Sequence, residues 1–168
     1  MQKLLVLTTG GTLDKVYFDA LSEFQVGEPV VAGILTAMNV TFDFDVQEVC
    51  RKDSLEVDHQ DRQKMLAMVN ASSAQYILIT HGTDTMVDSA QFLGEQTQKV
   101  IIFVGAMQPS AFKDSDATFN IGCAVGALSI ATPGVYIAMS GQIHKCNNVF
   151  KNYESRRFES LPVTEPVQ

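Results

Sequence analysis

The chain has 168 residues, of which 46% are hydrophobic and 18% are charged, and this composition excludes an intrinsically disordered chain. A chain of this length forms one domain by default, with a core that needs no disulfide or metal for stability. The formal net charge of −7 provides no basic face for phosphate groups, so we expect no nucleic-acid partner.

Short apolar runs alternate with longer amphipathic stretches, which is typical of a parallel sheet covered by helices on both faces. The predicted buried strands are residues 4–7, 76–79, 100–104 and 135–139. The alternating segment 41–49 predicts a half-exposed strand near an edge of the sheet. The predicted helices are residues 29–38, 58–70, 85–97 and 116–130. The fold class is therefore α/β, a three-layer sandwich with a mostly parallel, Rossmann- or flavodoxin-like sheet.

Each predicted strand leads into a turn of small or polar residues, and Asp58 and Asp84 are suited to cap the helices that follow. In open α/β sheets, ligands bind at the carboxyl ends of the strands, so we expect the functional site there. Residues 13–25 lack a clear period and follow a glycine-rich turn, which favours a loop that folds over the site.

The apolar run at residues 4–7 is shorter than the roughly 7 to 15 apolar residues of a secretory signal. No stretch reaches the roughly 20 apolar residues of a membrane span. Three cysteines and three histidines are scattered without metal-ligand spacing. We therefore expect a cytoplasmic protein with no membrane partner, no metal and no cofactor. We also expect one domain over residues 1–160 and a short tail over residues 161–168.

The first motif that could carry chemistry is the turn TTGGT at residues 8–12. Its glycines allow a tight turn that brings backbone N–H groups close to a ligand, so Gly11 is a candidate for substrate binding. Thr12 adds a hydroxyl beside those donors. The motif lacks the further residues of a phosphate-binding loop, and taken alone it is more typical of an ordinary strand-to-helix connection.

The second motif is THGTDT at residues 80–85, where a predicted strand ends and a predicted helix begins. A helix amino terminus offers free N–H groups and a partial positive charge, which favour a carboxylate or a developing oxyanion. Thr83 and Asp84 would face such a ligand, although they could equally serve only as helix caps. His81 is more typical of a packed turn residue than of a catalytic base.

Together with GAMQPS at residues 105–110, these two motifs resemble, in order and spacing, the N-terminal domain of bacterial-type L-asparaginases. The resemblance extends over about residues 4–160. It implies an amidohydrolase that converts L-asparagine or a related small amide to the acid and ammonia, through a threonine nucleophile and an acyl-enzyme.

The resemblance also implies roles for individual residues. Thr12 corresponds to the nucleophilic threonine of the family, and Thr83 and Asp84 correspond to its second threonine and its aspartate. Asp84 would also bind the α-amino group of the substrate. Ser54 corresponds to the serine that holds the substrate carboxylate, and Lys151 corresponds to the lysine that partners the second threonine. A relay of Asp84, Lys151 and Thr83, with neutral Lys151 as the base, would activate a threonine hydroxyl, which is a weak nucleophile on its own.

The sequence departs from the family pattern at three places. Phe24 occupies the position of the family's loop tyrosine and has no proton to donate, so Tyr17 is the candidate that could replace it. Gln108 stands where the family has an arginine. The family also carries a second, smaller domain that completes the neighbouring site in its oligomers, so we expect this chain to form a homo-oligomer, a dimer or a tetramer.

Two alternatives follow from these departures. The chain could be a catalytically weak or inactive module that keeps the same pocket to bind an amino acid in a regulatory role. It could also resemble the asparaginase-like subunit of amidotransferases, which releases ammonia for a partner. The retained set of Thr12, Thr83, Asp84 and Lys151 favours the amidohydrolase.

Overall fold

The structure is a computed structural model that describes residues 3–18, 23–94 and 98–162. The strands in these ranges are β1 (Lys3–Gly10), β2 (Lys15–Phe18), β3 (Glu23–Val26), β4 (Asp43–Lys52), β5 (Tyr76–Thr80), β6 (Val100–Val104), β7 (Gly134–Met139), β8 (Gln142–Lys145), β9 (Phe150–Asn152) and β10 (Arg157–Glu159). The helices are α1 (Val31–Ala37), α2 (His59–Ala71), α3 (Met86–Phe92) and α4 (Ala117–Leu128).

Six of the strands form one sheet in the order β4-β1-β5-β6-β7-β8. The first five are mutually parallel, and β8 is antiparallel to β7. The interior strands β5 and β6 are almost continuously apolar because both of their faces are covered. The alternating strand β4 lies at an edge, as its pattern predicts. The predicted α/β fold with a mostly parallel sheet is confirmed.

The core consists of two apolar layers, one on each face of this sheet. Leu78 and Ile102 contribute to the layer that α1 and α4 cover. Ile77 and Ile79 contribute to the opposite layer, which α2 and α3 cover. Because neighbouring side chains of a strand point to opposite faces, an unbroken apolar run fills both layers at once. The molecule is therefore the predicted three-layer sandwich.

Of the two predicted helix caps, Asp58 and Asp84, the structure confirms the first and not the second. Asp58 caps α2, since its carboxylate accepts hydrogen bonds from the N–H groups of Gln60 and Asp61. The prediction that Asp84 caps the third helix is wrong, because α3 begins at Met86 and the Asp84 carboxylate contacts other side chains. The helix predicted over 85–97 ends at Phe92, and residues 95–97 lie outside the described part of the chain.

Two hairpins were not predicted. The loop expected over residues 13–25 contains the antiparallel pair β2–β3, although residues 19–22 lie outside the described ranges. A second pair, β9–β10, follows β8. Their strands are only three or four residues long, too short for an alternating pattern to stand out.

Residues 163–168 lie outside the described ranges, so the expected boundary between domain and tail at residue 160 stays a prediction. Within the described ranges, none of the helices has the length and apolar character needed to cross a bilayer.

Candidate active site

The glycine turn at the carboxyl end of β1 lies against the second motif, and Thr12 is the residue that follows this turn. Gly10 and Gly11 have φ values of 92° and 87°, which L-residues with side chains rarely adopt. The Gly11 N–H donates to the carbonyl of Lys52 at 2.9 Å, which joins the turn to the end of β4. A Cβ on Gly11 would collide with the backbone of Gly82. Thr12 follows Gly11 directly and is partly exposed. Because Gly11 packs against Gly82, the Thr12 turn and the THGTDT turn are direct neighbours.

Ser54 lies beside the same second motif, at the carboxyl end of β4. A Cβ on Gly82 would approach the Ser54 Cβ to 2.5 Å, so glycine is required for the two segments to pack. The Thr85 hydroxyl donates to the Ser54 carbonyl at 2.6 Å. The Ser54 hydroxyl is buried and lies 3.4 Å from Oδ2 of Asp84, a long hydrogen bond. The structure therefore brings Ser54 and Asp84 together.

Lys151 completes a compact cluster of polar side chains. Its Nζ donates to the Thr83 hydroxyl at 2.8 Å and to Oδ1 of Asp84 at 2.6 Å. The side chain of Lys151 is 12% exposed and that of Asp84 is 34% exposed. Lys151 lies opposite the buried Phe158 in the β9–β10 hairpin, which fixes the start of its side chain. The ring of Tyr153, which sequence analysis did not single out, has its centroid 5.0 Å from the Lys151 Nζ.

Tyr17 and Phe24 face each other across the β2–β3 hairpin. Their rings meet edge to face with centroids 5.5 Å apart, and Phe24 contacts Phe112 in the same way at 5.9 Å. Tyr17 is 54% exposed. Within the described residues, its hydroxyl forms no hydrogen bond with the cluster around Lys151. The structure thus places Tyr17 in an exposed aromatic cluster on the hairpin that follows Thr12.

Asp14 anchors the Thr12 turn, and sequence analysis missed it. The side chain is 1% exposed, and its Oδ1 accepts a hydrogen bond from the Val30 N–H at 2.9 Å. Its backbone carbonyl accepts from the Gly27 N–H at 2.8 Å, which closes the base of the hairpin. Oδ2 is buried with no partner among the described residues. Burial raises the pKa of this carboxyl to about 6, against the opposing effect of the Val30 N–H.

The base of the hairpin is also joined to the Ser54 turn by an ion pair. Lys15 Nζ lies 2.6 Å from Oδ2 of Asp53, the residue just before Ser54. Burial works to raise the pKa of the Asp53 carboxyl, but the Lys15 hydrogen bond and backbone donors outweigh it, so this pKa lies below its ordinary value. The hairpin therefore starts from a fixed base beside the site.

The third motif, GAMQPS, is held by two side chains of the α4 region. The Asp116 carboxylate accepts hydrogen bonds from the Met107 N–H at 3.0 Å and the Gln108 N–H at 3.1 Å. The Asn120 amide donates to the Gly105 carbonyl at 3.0 Å and to Asp116 at 2.8 Å. Side chains four residues apart lie next to each other at a helix surface, so the spacing of Asp116 and Asn120 is a sequence signal that the two act as a pair.

His81 is a packed turn residue and is not part of the polar cluster. Its side chain is fully buried, its Nδ1 lies 2.7 Å from the Gly82 carbonyl oxygen, and its ring contacts Phe103. Burial lowers the pKa of His81 to about 4, so the imidazole is neutral at pH 7. Because Nδ1 faces a carbonyl oxygen, Nδ1 carries the proton.

The chain is similar in sequence to two curated proteins and in fold to one solved structure. The chain is 27% identical over 177 residues to a glutaminase-asparaginase of Pseudomonas fluorescens biotype A, covering 95% of this chain and 49% of that protein. It is 26% identical over 162 residues to a probable periplasmic L-asparaginase of Haemophilus influenzae, covering 90% and 46%. The thermostable L-asparaginase from Thermococcus kodakarensis shares the fold, with a TM-score of 0.81 at 24% identity over 95% of this chain and 51% of that one.

These matches define what the chain shares with its relatives. It spans about half the length of the curated relatives it matches. The family described as "Asparaginase, N-terminal" matches residues 3–164, which include the three motifs, the Ser54 turn and the Lys151 hairpin. The chain belongs to the asparaginase family, whose enzymes are amidohydrolases.

Proposed function

We propose that this chain is an asparaginase-like amidohydrolase that hydrolyses L-asparagine or a related small amide to the acid and ammonia. The observation that carries the proposal is the contact of the Lys151 ammonium group with both the Thr83 hydroxyl and the Asp84 carboxylate, next to the Thr12 turn. In its unprotonated form the Lys151 amine can accept a proton from the Thr83 hydroxyl, and an adjacent base of this kind is what an oxygen nucleophile requires.

In this proposal Thr12 is the nucleophile. Its Oγ1 attacks the amide carbonyl, and the backbone N–H groups of the glycine turn stabilise the oxyanion that forms. The C–N bond then breaks, the nitrogen takes a proton and leaves as ammonia, and an ester with Thr12 remains. Water hydrolyses this ester to the acid and restores the threonine hydroxyl.

The relay of Thr83, Lys151 and Asp84 moves protons in this scheme. As Thr12 attacks, its hydroxyl proton passes through the Thr83 hydroxyl to Lys151, which must be unprotonated to act as this base. Lys151 then returns the proton by the same route to the leaving nitrogen. Tyr17 is the proposed second proton carrier in place of Phe24. Its exposed position on the hairpin means that the hairpin must bring the phenol toward Thr12 when substrate binds.

Asp84 and Ser54 are the proposed substrate ligands, together with the Gly11 N–H and the Thr83 hydroxyl. The Asp84 carboxylate is partly accessible, so it can accept a hydrogen bond from an α-amino group while it still contacts Lys151. The 3.4 Å separation of the Ser54 hydroxyl from Asp84 is long, which leaves that hydroxyl available for a substrate carboxylate.

The alternative is a module that binds an amino acid in the same pocket and turns over slowly or not at all. The observation that favours it is that Phe24, which has no proton to donate, stands at the position of the family's loop tyrosine, while Tyr17 is 54% exposed. We also propose self-association into a homo-oligomer, which would shield the cleft, and a cytoplasmic location, which rests on the sequence alone.

Two substitutions separate the enzyme from the binder. Thr12→Ala should abolish ammonia release and keep the affinity for aspartate, because a nucleophile acts only along the reaction path. Asp84→Ala should weaken aspartate binding about 10- to 100-fold, because it removes a charge-assisted hydrogen bond from the bound state. Calorimetry with aspartate and an ammonia assay measure the two effects.

The matched controls are Thr36→Ala and Asp43→Ala, which alter exposed residues at other places in the fold and should change neither property. If the wild-type protein binds aspartate tightly and releases no ammonia from any small amide, the catalytic proposal fails and the binding module is correct.

A further inference from the structure

The Lys151 ammonium group is contacted by an aromatic ring in addition to its two polar partners. An ammonium group has three N–H donors, and two of them serve Thr83 and Asp84 at 2.8 and 2.6 Å. The Tyr153 ring centroid lies 5.0 Å from the same Nζ, within the roughly 6 Å over which a ring face attracts a cation. We propose that Tyr153 is a positioning residue that holds Lys151 against Thr83 and Asp84. The inference rests on the proposed amidohydrolase.

Tyr153 is suited to this role because the turn that carries it is braced on both sides. The Asn152 side-chain oxygen accepts hydrogen bonds from the N–H groups of Glu154 and Ser155 at 3.0 and 3.2 Å. The Asn152 amide donates to Glu159 at 3.1 Å, and the Ser155 hydroxyl donates to the same carboxylate at 2.6 Å. These bonds fix the backbone around Tyr153, so its ring is held near Lys151 by the hairpin itself.

The exposure of the two side chains indicates that the ring contact serves the lysine. Tyr153 is 66% exposed, so it contributes little to the apolar core. The Lys151 side chain is only 12% exposed, and its ammonium group is therefore partly removed from water. The ring lies at the ammonium end of Lys151, where the position of Nζ matters, and a ring attracts a cation at exposed sites as well as buried ones.

The ring, and not the hydroxyl, is the working part of Tyr153 in this proposal. Lysine has a flexible four-carbon stem, so losing the ring allows Nζ to leave Thr83 for part of the time. Asp84 keeps its second contact, with Ser54, and can still hold substrate. The loss should therefore appear in kcat more than in KM.

Two substitutions at one position test the proposal through amide hydrolysis. Tyr153→Phe keeps the ring and should retain kcat within about twofold. Tyr153→Leu removes the ring and should lower kcat about 3- to 30-fold, with a smaller change in KM. Phe119→Leu, at an exposed aromatic residue of α4, is the matched control and should leave kcat unchanged. Full kcat in Tyr153→Leu, or an equal loss in both Tyr153 variants, would overturn the proposal.

A second measurement needs no turnover and separates this inference from the proposed function. Protons above an aromatic ring resonate upfield, so the ε-CH2 protons of Lys151 should be shifted in the NMR spectrum of lysine-labelled protein. Lys151→Arg assigns the signal by removing it. We expect the shift in the wild type and in Tyr153→Phe, and its loss in Tyr153→Leu. An unshifted wild-type signal overturns the inference, whereas a shifted signal in a protein without amidase activity supports it and refutes the proposed function.

Discussion

Asp14 and His81 are buried titratable residues that act on stability in opposite directions. The pKa of Asp14 rises from 3.8 to about 6 on folding, so the native state binds more protons than the unfolded state between these values. Stability is therefore lost as pH rises through this window, by about 3 kcal/mol. The pKa of His81 falls from 6.5 to about 4, so stability is gained over the same rise in pH, again by about 3 kcal/mol.

Replacing Asp14 by Asn should remove the loss of stability that occurs in the wild type when the buried Asp14 carboxyl loses its proton. Asn keeps an oxygen that can accept the Val30 N–H and carries no buried charge. We expect the unfolding free energy of Asp14→Asn, minus that of the wild type, to increase by about 2 kcal/mol from pH 4 to pH 6.5. Because His81 is present in both proteins, its contribution cancels in the difference.

Urea denaturation at a series of pH values measures this difference. Thr36→Ala, at an exposed residue of α1 that has no titratable side chain, is the control and should show a difference that does not depend on pH. A flat difference for Asp14→Asn would mean that the Asp14 carboxyl titrates as it does in water.

Sequence motifs identified the residues that the structure brings together at the site, but not those that support them. Thr83, Asp84 and Ser54 stand in turns directly after strands, and parallel strands end at one edge of the sheet. Asp14 is distinguished by the burial of its carboxyl group, and Tyr153 is distinguished by the contact of its ring with Lys151. No local pattern distinguishes a buried Asp in a turn from an exposed one, so neither residue could be predicted.

At the scale of elements, α4 determines where the third motif lies. Asn120 is fully buried and bonds the Gly105 carbonyl, while its oxygen accepts from the Ser140 N–H at 2.9 Å. The same motif reaches the nucleophile turn, since the Ser110 N–H donates to the Leu13 carbonyl at 3.2 Å. One side chain on a helix thus links two connections of the sheet that border the site.

Asn120→Ala should therefore destabilise the protein although alanine favours helices. The substitution leaves the buried Gly105 carbonyl and the partly buried Ser140 N–H without this partner, at a cost of about 1 to 3 kcal/mol for the buried group. Chemical denaturation measures the loss, and Thr118→Ala on the exposed face of α4 is the control. A loss below about 0.5 kcal/mol would show that water replaces both bonds.

The sequence predicted the elements whose apolar pattern results from burial. It did not predict the hairpin that side-chain hydrogen bonds hold together. The strands β1, β5, β6 and β7 are apolar on both faces, and this pattern is visible in the chain. The β9–β10 hairpin is mostly polar and is held by hydrogen bonds of Asn152 and Glu159. Such hydrogen bonds produce no periodic pattern of apolar residues, so the hairpin that carries Lys151 was found only in the structure.

The whole molecule gathers its candidate site from distant parts of the chain. Turns after β1, β4 and β5 meet at one end of the sheet, and the β9–β10 hairpin brings in a lysine from 68 residues beyond Thr83. The rings of Tyr17, Phe24 and Phe112 form an exposed aromatic cluster at the hairpin that follows the Thr12 turn. Exposed aromatic surface of this kind is consistent with self-association.

We therefore expect a homo-oligomer in solution. Light scattering at micromolar concentration should give two or four times the chain mass of 18.4 kDa, because symmetric assembly is the common way to cover such surfaces. Dilution should reduce the mass if the association is reversible. A single species of 18.4 kDa throughout would contradict the proposed oligomer and leave the cleft open to solvent.

Hydrolysis of a small amide through Thr12 is the activity that we propose for this chain. The most direct measurement is ammonia release by the purified protein from L-asparagine, D-asparagine, L-glutamine and a series of β-amides, with Thr12→Ala beside the wild type. We predict release from at least one amide and a loss of at least about a thousandfold in Thr12→Ala. Equal rates in the two proteins, or no release from any amide by the wild type, would contradict the account.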